Sequence, residues 1–384
     1  MSLTGRPRHA VVALASLAAI VLGTVSASAG SSTVDATWTI QRTPNRSSDF
    51  NQLSAVSAPS ASDAWAVGTF RGPSSSAFRT LIEHFDGTSW RAVQSPNVGT
   101  LNNELNAVSA DSASDAWAVG FREVGITEQT LTERWNGTRW SVVASPNVGS
   151  NSNNLRGVAA ISPTDAWAVG AVGVTGATLA EHWNGTAWTV VSTPTPLGGG
   201  TLAAVGGVSS NDVWAVGAVG DGDDGTLAEH WNGTAWSIVS TPAIAGDALL
   251  AGVTAISSSD VWAVGSQGSR TLTEHWDGAS WTVVASPNPL PTTKGNNFLT
   301  GVTSLGASDV WAVGSTLDFT LGELEQTMIL HWDDAGWTVA ASPNQGASSN
   351  LLLGVSAPGS GVAFAAGSFQ ASTSRTLVLR MLNG

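Results

Sequence analysis

The sequence predicts an all-β fold: a seven-bladed β-propeller with four antiparallel strands per blade, whose N-terminal strand closes the last blade. Three observations predict it. The segment DAWAVG or DVWAVG occurs six times, with a degenerate seventh copy, GVAFAAG. Successive copies lie about 50 residues apart, a period typical of propeller blades when the patterning is of β type. Most copies are followed by an Asn-Gly or Asp-Gly pair, which is a hairpin signal.

The strands of each blade can be assigned in order. Strand one carries L-x-x-V, as at Leu53 and Val56. Strand two is the DAWAVG segment, in which Trp and Val point to one face and the two Ala to the other. Strand three reads T-L-x-E-H-W, and strand four reads W-x-V-V-x-S-P. A Ser-x-x-Asp turn joins strands one and two, and a type I′ hairpin joins strands three and four.

The two ends of the chain predict how the ring closes. The seventh repeat stops at Gly384, after its third strand, and has no fourth strand. Residues Trp38 to Pro44 match strand four and no other strand. We therefore expect the N-terminal strand to pair with the last blade, which would remove two exposed strand edges. The 18 Trp divide among strands two, three and four, so none is left over for a ligand.

Composition restricts the compartment and the partners. Residues 1–29 have a basic start, a short apolar run and an Ala-Ser-Ala site, which predict a cleaved signal peptide. Residues 30–384 would then be a single secreted, extracellular propeller domain without membrane insertion; a retained signal anchor is the alternative. A net charge of -13 argues against nucleic acid as a partner. Cysteine is absent, which excludes disulfides and thiolate metal sites. We expect a monomer without cofactors.

The repeat S-x-x-D-V-W-A-V-G followed by H-W-[ND]-G-x-x-W resembles the tryptophan-rich propeller repeats of secreted bacterial proteins. The resemblance covers essentially all of the chain after residue 29. The chain is loosely similar to kelch and WD-repeat propellers as well, although the kelch Gly-Gly doublet is absent. The sialidase-type S-x-D-x-G-x-x-W box is also absent, which weakens any analogy to glycosidases. The resemblance implies a binding platform and names no ligand.

The Glu-His pair of strand three, as at Glu181 and His182, has the composition of a catalytic pair. It is copied around the ring, however, whereas an active site needs one asymmetric constellation. The two slots also accept Leu330 and Arg134. We therefore expect a structural role, in which the His or Arg bonds to the Ser-x-x-Asp turn or to the next blade.

Carboxylates outside the repeat slots could support a mechanism without His. No pair stands out among Asp35, Asp49, Glu104, Asp111, Glu123, Glu128, Asp221, Asp223, Asp224, Asp247, Asp318, Glu323, Glu325 and Asp334. The loop from Asp221 to Asp224 could bind Ca²⁺ through its clustered carboxylates. It is shorter than an EF-hand loop and lacks the later Glu, so a solvated turn is the favoured interpretation and no metal site is predicted.

The loops between strands two and three and between strands four and one vary in length, and in a four-stranded meander they share one rim. Function tends to lie on such loops. Asn precedes strand one in five contiguous blades, with Ala203 and Ala248 in blades four and five, and Phe or Phe-Arg follows strand two on the same arc. The predicted ligand-binding residues are Asn51, Phe70, Arg71, Asn103, Phe121, Arg122, Asn153, Asn297, Phe319, Asn350 and Phe369.

Side-chain amides and aromatic faces suit a neutral polysaccharide or an extended peptide or protein ligand. We therefore expect an extracellular, non-catalytic binding or scaffold protein. The structural alternative is that the Asn residues form Asx-turns and the Phe residues pack under long loops. The functional alternative is a carbohydrate-active lyase or hydrolase, which converging off-template carboxylates in the channel would favour.

Overall fold

The computed structural model describes residues 36–173, 176–220, 225–359 and 361–382. These residues form seven four-stranded antiparallel sheets, and consecutive sheets pack against each other around a ring. The seven-bladed propeller is thereby confirmed. The predicted signal peptide, residues 1–29, and the loop from Asp221 to Asp224 lie outside the described residues.

Each blade runs from an inner strand at the channel to a short outer strand. The inner strands are β2 Phe50–Ser60, β6 Asn103–Ser112, β10 Asn153–Ser162, β14 Gly200–Ser209, β18 Ala248–Ser257, β22 Gly295–Gly306 and β26 Asn350–Ser356. The second strands are β3 Asp63–Arg71, β7 Asp115–Val124, β11 Asp165–Val172, β15 Asp212–Val219, β19 Asp260–Gln267, β23 Asp309–Asp318 and β27 Val362–Gln370. The third strands are β4 Arg79–Phe85, β8 Thr127–Trp135, β12 Ala177–Trp183, β16 Thr226–Trp231, β20 Arg270–Trp276, β24 Leu324–Trp332 and β28 Ser374–Leu382. The outer strands are β5 Trp90–Val93, β9 Trp140–Val143, β13 Trp188–Val191, β17 Trp236–Val239, β21 Trp281–Val283, β25 Trp337–Ala340 and, for blade seven, β1 Thr37–Gln41.

The predicted ring closure is confirmed. Strand β1 pairs antiparallel with β28, with Trp38 opposite Met381 and Ile40 opposite Leu379. The Trp38 ring packs edge-on against Trp311 of blade six, with the two ring centroids 5.7 Å apart. The first described strand therefore completes the last blade and covers the edge that β28 would otherwise expose.

Indoles and alanines meet between blades as the alternation predicts. Trp65 of blade one is only 1% exposed, and its ring lies 4.8 Å from Trp135 and 5.2 Å from Trp140 of blade two. Ala116 and Ala118, on the facing surface of blade two, belong to the same cluster. Small residues on one face thus make room for the large rings of the preceding blade.

A β-bulge interrupts the inner strand of every blade. In blade two, Leu105 pairs with Gly120 and Ala107 pairs with Val119, so Asn106 between them has no pairing partner on β7 and lines the channel. The bulge brings the inner strand close to the glycine that ends the DAWAVG motif. A Cβ on Gly120 would overlap the carbonyl oxygen of Glu104, the residue before Leu105. The motif therefore ends in glycine because the bulge needs it.

Candidate functional site

A cleft of about 410 Å³ opens on the variable-loop rim between blades seven and one. Its walls come from the rim ends of the inner and second strands of these blades and from the loops beside them, with one side chain from blade six. The lining includes Asp49, Phe50, Gln52, Arg71, Glu325, Leu351, Ser368, Phe369, Gln370 and Thr373. Of the predicted ligand-binding residues, the cleft brings together Arg71 and Phe369.

Charged groups of both signs border this cleft. The Nε of Arg71 donates to Oδ2 of Asp49 at 3.0 Å, and the guanidinium lies 5.2 Å from the Phe78 ring centroid. The two side chains of this ion pair are 37% and 32% exposed, so a ligand can reach both. Burial raises the pKa of Glu325. The sequence does not distinguish Asp49 and Glu325 from the other carboxylates outside the repeat slots, because it does not show which loops lie close together.

The five predicted Asn side chains are buried, at 0–1% exposure. Oδ1 of Asn103 accepts the Val98 N–H at 2.9 Å, and Nδ2 donates to the carbonyls of Val98 at 3.2 Å and Leu101 at 2.9 Å. Each of the others closes the loop before its own inner strand in the same way, namely Asn51, Asn153, Asn297 and Asn350. This geometry fits the structural alternative, and we leave these five residues out of the proposed binding surface.

Blade four departs from the prediction. Gly200, not Ala203, occupies the place of the Asn residues, because Gly200 pairs with Val219 as Asn153 pairs with Val172 in blade three. Ala203 is the bulge residue of β14 and lines the channel. A run of glycines precedes this strand, so the sequence offers no side chain there from which its register could be predicted.

The Phe-Arg pairs of blades one and two are not equivalent. Phe70 pairs with Asn51, whereas Phe121 pairs with Glu104. In blade one, Thr69 is an extra residue between the glycine of the DAWAVG motif and Phe70. A shift of one residue turns a strand side chain to the opposite face. Phe70 therefore packs with the cluster shared by blades one and seven, while Phe121 lies on the face of its strand that meets blade three.

The other predicted side chains are dispersed along the rim. Arg122 donates to Oε1 of Gln129 at 2.8 Å. Phe319 lies in a short 3-10 helix, Phe319–Leu321, and is 53% exposed. Phe369 packs partly against the cluster shared by blades six and seven. The predicted arc is therefore a series of separate environments, and one of them is a cleft.

Three glutamates that the sequence did not single out gather on the rim between blades two and three. Burial, together with the nearby Glu123 and Glu128, raises the pKa of Glu104. Glu123 accepts a hydrogen bond from Nδ2 of Asn102 at 2.8 Å, and Glu128 accepts one from Nδ2 of Asn154 at 2.9 Å. Glu123 and Glu128 face each other across the β7–β8 hairpin.

The His of strand three bonds to the turn between strands one and two, as expected. Nε2 of His182 lies 2.8 Å from Oδ1 of Asp165, and the His ring packs on Trp167 with a centroid distance of 4.4 Å. In blade two, Arg134 takes the same slot and binds Asp115 through two contacts of 2.6 and 2.9 Å. The His contact recurs in blades one, four, five and six at 2.8–3.0 Å.

The Glu of strand three is fully buried between blades in blades one to five. Thr226 of blade four donates to Oε1 of Glu274 in blade five at 3.1 Å, and Ser95 of blade one donates to Oε2 of Glu133 in blade two at 3.0 Å. Burial raises the pKa to about 7 at Glu274 and to about 8 at Glu133, Glu181 and Glu229. This repeated, enclosed placement is structural.

Within the described ranges, no group of three or more His, Asp or Glu side chains is arranged to hold a metal ion. The same part of the chain contains no helix of the length and apolarity that a membrane span requires.

No protein-family model matches the sequence, and no curated protein matches it. Solved structures do match. A structure of YCF48 bound to a D1 peptide is 12% identical, covers 91% of this chain and 97% of its own, and has a TM-score of 0.57. YCF48 from Cyanidioschyzon merolae is 15% identical, covers 90% of this chain and 98% of its own, and has a TM-score of 0.54. At these identities the similarity shows a shared fold, the β-propeller.

Proposed function

We propose that the protein is a secreted, non-catalytic binding module whose rim cleft between blades seven and one binds an extended peptide. The observation that carries the proposal is the mixture of groups around one open space of about 410 Å³. Phe50 and Phe369 supply phenyl surface, Asp49 and Arg71 an accessible ion pair, and Glu325 a further carboxyl group. An extended peptide can use such a lining, because its side chains and backbone groups alternate along its length.

A neutral glycan is the other ligand that the sequence suggested. It would cover the Arg71–Asp49 ion pair and the carboxyl group of Glu325 without bringing charges of its own, and taking charged groups out of water is costly. A peptide can supply charges of its own. The shared fold with YCF48, one structure of which holds a D1 peptide, further supports a peptide ligand.

Export and a monomeric state are part of the same proposal. Support for export comes from the predicted signal peptide at residues 1–29. N-terminal sequencing of protein recovered from the medium tests it, with Gly30 as the expected first residue. Light scattering of the same sample tests the monomeric state.

Selection from a displayed peptide library, followed by calorimetry on the selected peptides, tests the binding proposal. Phe369→Ala and Arg71→Gln are each expected to weaken binding about tenfold, equivalent to about 1.4 kcal/mol. Phe121→Ala, the same kind of truncation outside the cleft, is the control and should leave the affinity unchanged. Peptide binding that survives both cleft variants, or binding of cell-wall glycans in place of peptides, would contradict the proposal.

One observation favours a second candidate function, a carbohydrate-cleaving enzyme. Glu104 has a raised pKa beside Glu123 and Glu128, and a carboxylic acid next to carboxylates is the arrangement that such enzymes use. Release of reducing ends from a polysaccharide panel would test it. If the protein is an enzyme of this kind, Glu104→Gln should lower the rate by about 10²–10⁴-fold. No release by the unaltered protein would exclude this candidate.

A further inference from the structure

The bulge residues of the inner strands line the central channel. Each blade contributes one bulge residue to this lining, and among the seven bulge residues, all of which the structure describes, only that of blade three is charged. The bulge residues are Ser54, Asn106, Arg156, Ala203, Ala251, Thr300 and Leu353. Because a bulge residue leaves the alternation of its strand, the repeat pattern in the sequence does not mark Arg156.

The guanidinium of Arg156 has no direct partner among the described residues. Within the described chain it makes no hydrogen bond and no ion pair, whereas Arg71 and Arg134 each bind a carboxylate. Burial lowers the pKa of Arg156, and Glu128 opposes this shift from a distance too great for an ion pair. The side chain remains accessible from the channel. An accessible guanidinium with unused N–H donors is suited to bind an anion in bidentate fashion.

Arg156 also borders a niche of about 220 Å³ on the side of blades four and five. The walls of this niche are mostly apolar and include Ala203, Ala218, Leu249 and Leu250. The volume is below the roughly 300–1,000 Å³ of sites for drug-sized ligands, so the niche fits a group of only a few heavy atoms. A cation at the border of a small apolar pocket is complementary to a ligand with an anionic end and a short apolar body.

We propose that Arg156 and this niche form a binding site for a carboxylate attached to a short apolar group. The carboxylate would pair with the guanidinium, while the apolar group would lie against Ala203 and the exposed side chain of Leu249. Glu128 is the charge that opposes an anion here, and its hydrogen bond from Asn154 directs one of its oxygens to that amide. The site is separate from the rim cleft and does not depend on the peptide proposal.

Two sources could supply this chemistry: the C-terminal residue of a peptide, or a free short-chain carboxylic acid. The probes are isovalerate, N-acetyl-leucine, and one peptide ending in leucine, prepared both as the free acid and as the C-terminal amide. Calorimetry on the full protein is expected to show binding of at least one free acid and at least tenfold weaker binding of the amide. Peptide-only binding would identify a chain terminus, and binding of the small acids alone would identify a free acid.

Arg156→Gln should weaken binding of the acid at least tenfold. Because Arg156 makes no hydrogen bond to a described residue, the melting temperature of this variant should be unchanged. Arg139→Gln removes the same charge from an exposed hairpin and should have no effect. Ala203→Leu, which fills the niche and keeps the guanidinium, should also weaken binding.

Three results would overturn the proposal: equal binding by Arg156→Gln, equal binding of acid and amide, or no binding of any acid at millimolar concentration. The rim-cleft variant Arg71→Gln should not affect the acids. Failure here is therefore distinguishable from failure of the peptide proposal.

Discussion

Thr226 of blade four donates a hydrogen bond to Glu274 of blade five across 3.1 Å, and this carboxyl group is fully buried where the two blades meet. Burial raises the pKa of Glu274 to about 7, against an ordinary value of 4.5. Blades six and seven have Leu330 and Leu379 in the same slot, also fully buried. The interface therefore accepts either a neutral acid or a hydrocarbon, and a carboxylate is the form that it disfavours.

We expect the free energy of unfolding to decrease as the pH rises from about 4.5 to about 8. In that window the folded chain binds more protons than the unfolded chain, because its buried glutamates have the higher pKa. Their stabilising contribution is complete below the unfolded pKa and is lost as the pH passes the folded values. Denaturant titrations between pH 4 and pH 9 measure this slope.

Two variants test whether the buried glutamates cause this pH dependence of stability. Glu274→Leu copies the residue found at Leu330, so it should remove the contribution of one glutamate from the pH dependence and raise stability at pH 8. Glu323→Gln, at an exposed loop position, is the control and should leave the slope unchanged. If Glu274→Leu leaves the slope unchanged, the carboxyl group of Glu274 is not kept neutral in the folded protein.

Truncation of a strand-two Trp should be severely destabilising. Trp167 has 0% exposure and packs at 5.1 Å from Trp236 of the next blade. Trp167→Ala is expected to cost about 3–5 kcal/mol, as for other buried aromatic residues. Trp167→Phe should cost less, because Phe364 fills the equivalent place in blade seven. Chemical denaturation measures both, and an unchanged midpoint for Trp167→Ala would exclude the packing role.

Asn103 tests whether the buried amides serve the fold or a ligand. Asn103→Ala leaves the Val98 N–H without its side-chain acceptor, and an unsatisfied buried polar group costs about 1–3 kcal/mol. We expect lower stability, faster hydrogen exchange at Val98, and unchanged affinity for selected peptides. Lost affinity at unchanged stability would reverse this assignment and return the Asn residues to the binding surface.

Repetition explains why the fold could be predicted and the site only in part. Because the seven repeats share one pattern, the strands, the indole packing and the closing strand could all be predicted from it. The rim has no such template. The glycines before Gly200 and the extra Thr69 each displaced the predicted register, and in a strand one residue reverses the face. Arg156 was missed because the alternation of strand one does not reveal a bulge.

Removal of strand β1 should destabilise the ring. Strand β1 supplies Trp38, which is 5% exposed and opposite Met381. Deleting residues 36–44 would remove β1, so β28 would become an exposed strand edge and the space that Trp38 fills would be left open. Exposed strand edges pair with strands of other chains. We expect oligomers in light scattering and a large drop in melting temperature.

A synthetic peptide of residues 36–44, added in trans, should restore the monomer and most of the melting temperature, because it can pair with β28 as β1 does. The same peptide with Trp38→Ala is the matched control and should rescue less, since the lost ring contact with Trp311 is expected to cost about 3–5 kcal/mol. A deletion variant that stays monomeric and equally stable would show that six complete blades and three strands hold the ring without β1. Strand β1 would then cover the edge of β28 without being required for folding.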